Sequence, residues 1–500
     1  GDANKGTDPG DYSSINEIQR YVSQPTNGDI GAAYRAKYEG VSRCNGILNL
    51  LKTPAADVST ADATRIAAET KFLRAHFYFE LKRIFNNTPY VDESTPEGTI
   101  GTVGNTVDLW PKIESDMKFA YDNLPETQGS VGRANKWAAA AYYGKILLYQ
   151  KKYTDAKAAF DAVIANGKTT GGSKYTLLPK YADIFNAAND NNAESIFAVQ
   201  SAANTGSTNN SNGQDDLNYP YNTGPNGPGN CCGFNQPSQT LVNSFRTDNK
   251  GLPFIDESYN SPVNAVKSDQ GLISTAPFTP DAGNLDPRLD HSVGRRGIPY
   301  LDWQDHPGAD WIRNQANGGV YSPKKFVYYK SQEGTLSDGT SWTRGYATMN
   351  YEIIRFADVL LMAAECEIEV GSVDKARTYV NQVRTRAANT SSWVLKAGKP
   401  AANYVIGNYD MPWSDKAAAR TAVYFERKIE LSNEGHRLFD LVRWGLAATQ
   451  INSYLANESK ILPGTLGGAT FKTGKNEYQP IPQNQIDLQG ATVLIQNPGY

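Results

Sequence analysis

Hydrophobic residues recur at three- and four-residue intervals along several stretches of the chain, which is the pattern of amphipathic helices. The clearest stretch covers residues 350–387, where a first helix that includes Ile353 and Ile354 ends at Gly371. Ser372 is a good N-cap for a second helix directly afterwards. Because so short a turn makes two helices antiparallel, the pattern predicts a tetratricopeptide-like helix pair.

A matching pair is predicted much earlier in the chain. Helical spacing runs over Lys136–Gln150 and again over Thr154–Ala165, with Thr154 as the expected N-cap. Ala156-x3-Phe160 in this pair parallels Ala376-x3-Val380 in the later one. The same periodicity predicts further helices at Gly31–Leu51, Ala61–Ile84 and Val107–Leu124, and a helical block over Asp415–Thr449.

Between these regions the helical periodicity mostly disappears. Residues 169–350 are rich in Gly, Asn, Pro and aromatic residues, with a plausible strand at Glu194–Gln200 and a short helix at Thr240–Phe245. The expected fold is therefore mainly α, with about four helix pairs and a large loop-rich insertion that carries few short strands. The expected division is an N-terminal helical scaffold at 1–168, an inserted lobe with the ligand site at 169–350, a C-terminal helical scaffold at 351–450, and a loop-rich tail at 451–500.

Composition narrows the class of partner. The 500 residues carry a net charge of −3 without a long basic run, which disfavours nucleic acid. No window approaches the eighteen uninterrupted apolar residues that a membrane-spanning helix needs.

The chain opens without a signal sequence, so either it is cytosolic or a targeting segment has been removed. Twenty-nine tyrosines and eight tryptophans suit a sugar-binding surface, because a pyranose has apolar C–H faces, although large cores contain the same residues.

Aromatic residues on irregular loops are the first candidates for ligand contacts. Tyr300, Trp303 and Trp311 lie in a segment whose glycines and prolines forbid a regular helix, and Tyr219 and Tyr221 lie in a similar one. We expect rings in such loops to be exposed more often than rings at helical spacing, with loop packing as the alternative. A further tryptophan of the insertion is Trp342.

Adjacent Cys231 and Cys232 form the second candidate feature. Neighbouring Cα atoms across a trans peptide are about 3.8 Å apart, less than the roughly 4.4–6.8 Å of ordinary disulfides. A bridge between them therefore needs a distorted peptide, for which Gly229 and Gly233 give the backbone freedom. The pair is either a vicinal disulfide that could stack on a sugar, or two free thiols in a turn.

Polar groups near the chain start are weaker candidates. Asp2 and Asn4, beside glycines, could hydrogen-bond sugar hydroxyls, or they could cap an N-terminal turn. The densest charge cluster, at residues 426–443, could hold two catalytic carboxylates, but its alternating signs at helical spacing favour a stabilising ion network. The scattered histidines match no metal-binding motif, so neither a metal nor a cofactor is expected.

Several segments together resemble the SusD/RagB family of outer-membrane glycan-binding lipoproteins. The family's signature helix is similar to residues 353–371, and its most diagnostic stretch is similar to ERKIELSNEGHRLFDLVRWG at Glu426–Gly445. The C-terminal motifs PIPQNQIDL and QNPGY, and DPRLD at Asp286–Asp290, follow in the family's order. The resemblance implies four tetratricopeptide-like units, a sugar site on irregular excursions, and no bond-breaking activity.

The same resemblance implies a cellular setting. Family members sit at the cell surface of the outer membrane, attached by a lipidated cysteine in a portion that is absent from this chain. They deliver oligosaccharide or polysaccharide to a SusC-type TonB-dependent transporter for nutrient uptake. A cell-surface location also favours the Cys231–Cys232 bridge. The alternative function is a tetratricopeptide-type scaffold that binds a protein or peptide, and a helical glycoside hydrolase is a third possibility.

Overall fold

Helices form most of the regular structure in a computed structural model, which describes residues 2–207, 210–212, 217–339 and 345–500. Trp342 lies outside these residues. The expected mainly α fold with few short strands is confirmed. The helices are α1 (Ser14–Gln19), α2 (Gly28–Leu50), α3 (Thr60–Phe85), α4 (Trp110–Asn123), α5 (Lys136–Tyr149), α6 (Tyr153–Asn166), α7 (Gln239–Asn243), α8 (Leu289–Ser292), α9 (Gln315–Gly318), α10 (Phe356–Val370), α11 (Val373–Ala387), α12 (Lys416–Glu430), α13 (Arg437–Arg443), α14 (Ala447–Ile461), α15 (Pro463–Leu466) and α16 (Gln483–Gln489).

The strands are short and pair two by two in antiparallel ribbons. The pairs are β1 with β3, β2 with β10, β4 with β7, β5 with β6, β8 with β9, and β11 with β12. Their bounds are β1 (Ala3–Gly6), β2 (Ser195–Val199), β3 (Phe234–Pro237), β4 (Val293–Gly294), β5 (Pro299–Tyr300), β6 (Gln304–Asp305), β7 (Ser322–Pro323), β8 (Ser337–Asp338), β9 (Tyr346–Ala347), β10 (Tyr351–Arg355), β11 (Leu395–Lys396) and β12 (Lys399–Pro400).

The chain divides into two units, which are described separately. We call the first the lobe unit; it contains the described residues of Gly1–Tyr12, Tyr175–Asp440 and Thr449–Gly468. We call the second the helical unit; it contains Ser13–Lys174, Leu441–Ala448 and Ala469–Tyr500. No described helix is both long and apolar enough to cross a lipid bilayer. The four-part division made from the sequence stays a prediction.

Successive helices pack side by side in the helical unit, from α2 through α6. Asn135 caps α5, because its side chain accepts a hydrogen bond from the Ala138 N–H at 2.8 Å. Close approach of α5 and α6 depends on Gly144, where an added Cβ would lie 2.6 Å from the Phe160 ring. The expected pair is present, but α6 begins at Tyr153, so Thr154 is not its N-cap.

In the lobe unit, α10, α11 and α12 pack against one another. The Ser372 side chain accepts a hydrogen bond from the Lys375 N–H and caps α11, which confirms that prediction. Placing Ile353 and Ile354 in the first helix of this pair was wrong, because both lie in β10, which pairs with β2. The spacing of the apolar residues in this segment fits one continuous helix as well as a short strand that leads directly into a helix, so it does not distinguish the two.

The last predicted helical block also differs from the structure. Instead of one block over Asp415–Thr449, α12 ends at Glu430, a turn follows, and α13 and α14 are separate. Helix α14 continues to Ile461, within the tail that was expected to consist of loops. Asn433 and Gly435, both at positive φ, form the turn after α12 and explain the break.

A buried ion network connects the irregular part of the lobe unit to α12. Arg355 donates to Glu430 at 2.7 Å and to Glu434 at 2.8 Å, and all three side chains are at most 1% exposed. Sequence spacing suggested ion pairs within the helix, but these partners come from distant parts of the chain. The other members are Arg288, Lys325, Arg384, Arg386, Glu194, Asp286 and Glu426.

Candidate functional site

Four of the loop aromatics proposed from the sequence are buried. Tyr219 and Tyr300 are fully buried, Trp311 is 3% exposed and Trp303 is 8% exposed. The expectation that these rings are exposed was therefore wrong. They pack together with Tyr328 in one aromatic cluster, because irregular segments without an amphipathic stripe need large side chains to enclose a core.

Two of these buried rings have hydrogen-bond partners for their polar atoms. Trp303 Nε1 donates to the Tyr328 carbonyl at 3.2 Å, and the Tyr300 hydroxyl donates to the Pro323 carbonyl. Burial raises the pKa of the Tyr300 hydroxyl well above its ordinary value. These contacts fix the rings in place, so this cluster is a rigid base for the loops above it.

The buried cluster holds the loop of residues 219–233. The Tyr221 N–H donates to the Trp311 carbonyl at 3.0 Å, and the Gly233 N–H donates to the Tyr219 carbonyl at 2.8 Å. At Gly229, φ is +68° and an added Cβ would lie 2.3 Å from the Tyr219 ring, so only glycine allows this approach. The structure thus brings the predicted aromatics together, and most of them lie in the buried cluster against which the loop of residues 219–233 packs.

Tyr221 is the predicted aromatic that reaches the surface, where it is half-buried. The Arg313 guanidinium lies over its ring, 5.1 Å from the centroid, and also pairs with Asp11. Tyr12 is 56% exposed, and its ring meets the ring of buried Phe234 edge-on at 6.4 Å between centroids. We call the surface formed by Tyr12, Tyr221, Cys231, Cys232 and Arg313 the Tyr221 face.

Cys231 and Cys232 are joined by a disulfide across a cis peptide bond. Cys231 is half-buried, whereas Cys232 is 5% exposed. The backbone of Cys232 forms an isolated β-bridge with Tyr219, and the backbone of Asn230 forms another with Tyr221. Cys231, the more exposed of the two residues, therefore follows directly after Asn230, whose backbone pairs with Tyr221, whereas Cys232 is buried and paired with Tyr219.

The two polar candidates near the chain start have different environments. Asn4 is 3% exposed, and its Oδ1 accepts a hydrogen bond from the Tyr454 hydroxyl at 2.7 Å. This side chain is therefore buried and engaged within the fold, as a residue with a structural role is. Strand β1 pairs with β3 in the register Asn4–Gln236, which explains this burial. Asp2 is half-buried and lines a cavity of the lobe unit.

Tyr12 and Arg313 were missed by the sequence reasoning. Tyr12 directly follows the turn-rich segment TDPGD, and Arg313 follows the Trp311 segment, so both lie where loops reach the surface. That signal was available but weak, because an exposed tyrosine and an exposed arginine are common on any protein surface.

Two carboxylates with raised pKa values lie elsewhere: Glu352 is on β10, and Asp190 lies shortly before β2. Burial raises the pKa of Glu352 to about 8 and that of Asp190 to about 7. Glu352 accepts a hydrogen bond from the Ser195 hydroxyl at 2.9 Å, and Asp190 accepts one from the Asn350 N–H at 3.2 Å. Among the described residues, no three His, Cys, Asp or Glu side chains cluster as metal ligands would.

Comparison with known protein families agrees with this architecture. A model of the SusD family matches residues 193–500, and a model described as "Starch-binding associating with outer membrane" matches residues 7–148. The first match covers more than half of the chain. The chain therefore belongs to the SusD family.

Individual relatives are distant in sequence. SusD-like protein P25 of Formosa agariphila is 27% identical over 398 residues, which are 76% of this chain and 64% of P25. This match thus spans less than two thirds of the length of P25. Starch-binding protein SusD of Bacteroides thetaiotaomicron is 24% identical over 463 residues, which are 89% of this chain and 74% of SusD.

Solved structures share the fold along the whole chain. A laminarin-binding SusD-like protein is 25% identical with a TM-score of 0.66, and the match covers 100% of this chain and 92% of that one. Surface glycan-binding protein A from Bacteroides thetaiotaomicron, solved in complex with laminarihexaose, is 19% identical with a TM-score of 0.68, covering 99% and 91%. At that identity the likeness is one of fold alone.

Proposed function

We propose that this protein binds an oligosaccharide on the Tyr221 face, without breaking a bond, and passes it to a SusC-type TonB-dependent transporter at the outer-membrane surface. Membership of the SusD family supports this proposal, as do the starch- and laminarin-binding descriptions of its relatives. In this proposal a lipid anchor upstream of the present chain holds the protein at the membrane.

The observation that carries the proposal is the half-exposed Tyr221 ring on a rigid base. Arg313 covers one face of the ring, so the opposite face is the proposed platform for a pyranose. The Arg313 guanidinium lies over the ring, and the Trp311 carbonyl accepts from the Tyr221 N–H. Stacking on a ring that is held in this way costs little side-chain entropy. Asn230, which is exposed, supplies a donor for sugar hydroxyls, and the neighbouring Cys231 extends the apolar platform.

Trp303, Trp311 and Tyr300 take a supporting part in this mechanism. Their buried rings hold the 219–233 loop and cannot stack on a sugar without moving. An Ala substitution at Trp311 would remove this support and so disturb folding and binding together. Tyr221→Ala is the cleaner test, because a half-exposed side chain is removed while the cluster below it stays intact.

The test is affinity gel electrophoresis and calorimetry with laminarin and starch, using wild type, Tyr221→Ala and Tyr221→Phe. We expect Tyr221→Ala to abolish retardation or weaken affinity by about tenfold, which corresponds to about 1.4 kcal/mol, because it removes the ring on which the C–H face of a pyranose stacks. Tyr221→Phe keeps the ring and should retain most of the affinity. Wild-type affinity in Tyr221→Ala for every retained glycan would refute this site.

The disulfide has its own measurement. Thiol titration of the denatured, unreduced protein should find two reactive thiols, those of Cys44 and Cys366, which are buried in the fold and take no part in a disulfide. Reduction before titration should raise the count to four. Four thiols without reduction would show that Cys231 and Cys232 are not bridged, and the part of Cys231 in the apolar platform would have to be reassigned.

A further inference from the structure

Tyr12 is the most exposed aromatic residue of the described chain, at 56%. Its φ is +44°, in the left-handed region, which is uncommon for a residue with a bulky side chain. Such a conformation persists only where the surrounding contacts impose it, and it is found preferentially at functional sites. The backbone of Tyr12 is therefore held against its own preference.

A buried lysine holds the turn that precedes Tyr12. Lys5 is 3% exposed. Its Nζ donates hydrogen bonds to three carbonyl oxygens of the turn, those of Asp8 at 3.0 Å, Pro9 at 3.3 Å and Asp11 at 2.7 Å. These bonds engage all three donors of the ammonium group and fix the path of the turn. The backbone that leads to the exposed ring is thus well defined.

Further hydrogen bonds fasten this turn to the loop of residues 219–233. The Thr7 N–H donates to the Gly233 carbonyl at 2.7 Å, and the Thr7 hydroxyl donates to the Asp11 carboxylate at 2.7 Å. Asn317, which is buried, donates to the Thr7 carbonyl at 3.0 Å. The turn before Tyr12 therefore belongs to the same surface as the loop.

One chain of contacts connects Tyr12 to Tyr221 through an arginine. Asp11, the residue before Tyr12, forms an ion pair with Arg313. The Arg313 guanidinium lies in turn 5.1 Å from the centroid of the Tyr221 ring. This guanidinium thus occupies the space between the Tyr221 ring and the Asp11 carboxylate. One pyranose residue therefore cannot be sandwiched between the two tyrosines, so each ring meets a different residue of a glycan.

A second connection between the two tyrosines runs through the loop. The Tyr12 ring meets the Phe234 ring edge-on at 6.4 Å between centroids. Gly233 precedes Phe234, and a Cβ added at Gly233 would lie 3.6 Å from the Tyr221 Cβ. The two tyrosines therefore contact consecutive residues of one loop, and they lie close together on one surface.

The loop that carries Tyr221 is rich in amides. No Asp, Glu, Lys or Arg occurs between residues 217 and 245, and Asn222, Asn226 and Asn230 are exposed. An amide both donates and accepts hydrogen bonds, as the hydroxyl groups of a sugar do. These amides supply polar partners for a glycan that lies along the loop, beside the C–H contacts that the rings offer.

We infer that Tyr12 is a second stacking platform for the glycan, and that Lys5 positions it. The ligand class is then an oligosaccharide long enough for two of its residues to stack at once, one on Tyr221 and another on Tyr12. Two platforms make affinity increase with chain length, because the second contact forms intramolecularly once the first has formed. The inference rests on the proposed function, which takes the Tyr221 face as the carbohydrate site.

Calorimetry of the full chain with a disaccharide and a hexasaccharide of the same linkage tests this inference. The probes are laminaribiose with laminarihexaose, and maltose with maltohexaose. Tyr12→Gly removes the ring and accommodates the positive φ, whereas Tyr12→Phe keeps the ring. Met411→Ala is the control, because Met411 is 78% exposed in the lobe unit and is not part of the Tyr221 face. A thermal melt of each variant checks that it is folded.

We expect wild type to bind the hexasaccharide of at least one pair about tenfold or more tightly than the disaccharide. Tyr12→Gly should weaken hexasaccharide binding by about tenfold and leave disaccharide binding unchanged, because the shorter chain engages one platform. Tyr12→Phe and Met411→Ala should bind both chain lengths as wild type does. Wild-type hexasaccharide affinity in Tyr12→Gly would overturn the inference, as would equal affinity of wild type for the two chain lengths.

Lys5→Met tests the positioning role of Lys5. It removes the three hydrogen-bond donors, so we expect hexasaccharide binding to weaken and disaccharide binding to stay unchanged, as in Tyr12→Gly. Combined with Tyr12→Gly it should cause no further loss, since Lys5 acts through Tyr12. Loss of disaccharide binding in folded Lys5→Met, or additive losses in the double variant, would show that Lys5 does not act by positioning Tyr12.

The two proposals fail in different ways. Hexasaccharide binding that depends on Tyr221 but not on Tyr12 would overturn the second platform and leave the Tyr221 face as the site. Hexasaccharide binding that depends on neither tyrosine would overturn both proposals, and so would absence of binding by both hexasaccharides.

Discussion

The α5–α6 pair of the helical unit and the irregular segment of the lobe unit around Arg288 and Arg355 are stabilised in different ways. The helix pair packs through small and aromatic residues, with Gly144 against Phe160. The irregular segment is held by guanidinium groups that are fully buried among carboxylates. The backbone N–H and C=O groups of a helix pair with each other, so apolar packing between side chains is sufficient to hold two helices together. Irregular backbone lacks these internal partners, and buried side chains must supply hydrogen bonds instead.

This difference predicts where each region is vulnerable. Packing between helices responds to changes in volume, because a protein interior is close-packed. A buried ion network responds to loss of a charge, because the remaining partners are left without compensation. Four substitutions, in order of decreasing expected effect, test this contrast.

Arg355→Ala should have the largest effect. The change leaves Glu430, Glu434 and Glu194 with an uncompensated buried charge, so we expect the free energy of unfolding to fall by about 3–5 kcal/mol in urea denaturation. The matched control is Arg43→Ala, whose exposed pair with Glu39 should contribute less than about 0.5 kcal/mol. If the two substitutions lowered the free energy of unfolding equally, the buried network would not stabilise the fold more than an exposed ion pair does.

Gly144→Ala tests the helix pair. An added methyl group would lie 2.6 Å from the Phe160 ring, so we expect destabilisation by about 1–3 kcal/mol, despite the better helix propensity of alanine. Gly46→Ala in α2 is the control, because nothing lies within 4 Å of the new methyl group. That control should gain about 0.5–1 kcal/mol, and a gain in Gly144→Ala would contradict the packing argument.

Glu352→Gln tests the pH dependence of the lobe unit. The folded-state pKa of Glu352 is raised to about 8 by burial, above an unfolded value of about 4.3. Its contribution to stability is therefore fully present below pH 4 and is lost as pH rises towards 8, with a slope of at most about 1.4 kcal/mol per pH unit. Urea midpoints at pH 5 and pH 8 should differ less in Glu352→Gln than in wild type; the same difference in both would refute the raised pKa.

Arg313→Gln should have the smallest effect on stability. Its ion pair with Asp11 is about one-third exposed, so we expect a change below about 1 kcal/mol in the free energy of unfolding. Glycan affinity should nevertheless fall, because Arg313 covers one face of Tyr221. Asp11→Asn, which breaks the same ion pair and leaves the guanidinium, separates these two effects. If Arg313→Gln lowered the free energy of unfolding as much as Arg355→Ala does, the contrast between exposed and buried ion pairs would be contradicted.

Sequence periodicity predicted the helices well because each depends on local spacing and capping. Lys136–Gln150 and the Ser372 cap are found almost where the pattern put them. Errors arose where a local pattern has two solutions, as at Ile353 and Ile354, whose apolar run fits both a strand and a helix. The break after Glu430 depends on Asn433 in a left-handed conformation, which its sequence context did not reveal.

The candidate site was predictable only in part. The loops that carry aromatics were found from their composition, but composition does not tell which ring faces solvent. Exposure depends on neighbours that are distant in sequence: Trp311 is buried by the cluster that also contains Tyr328 and Tyr219, and Tyr221 stays at the surface two residues from Tyr219.

The sequence by itself determined the helix pairs, the family and the irregular character of the inserted lobe, because these follow from short-range spacing and from motifs in fixed order. Tertiary structure alone decided which aromatics are support and which are surface, and it brought Asp11 to Arg313 beside Tyr221. The physical reason is that burial and the satisfaction of polar groups are set by contacts between distant segments, which no local pattern encodes.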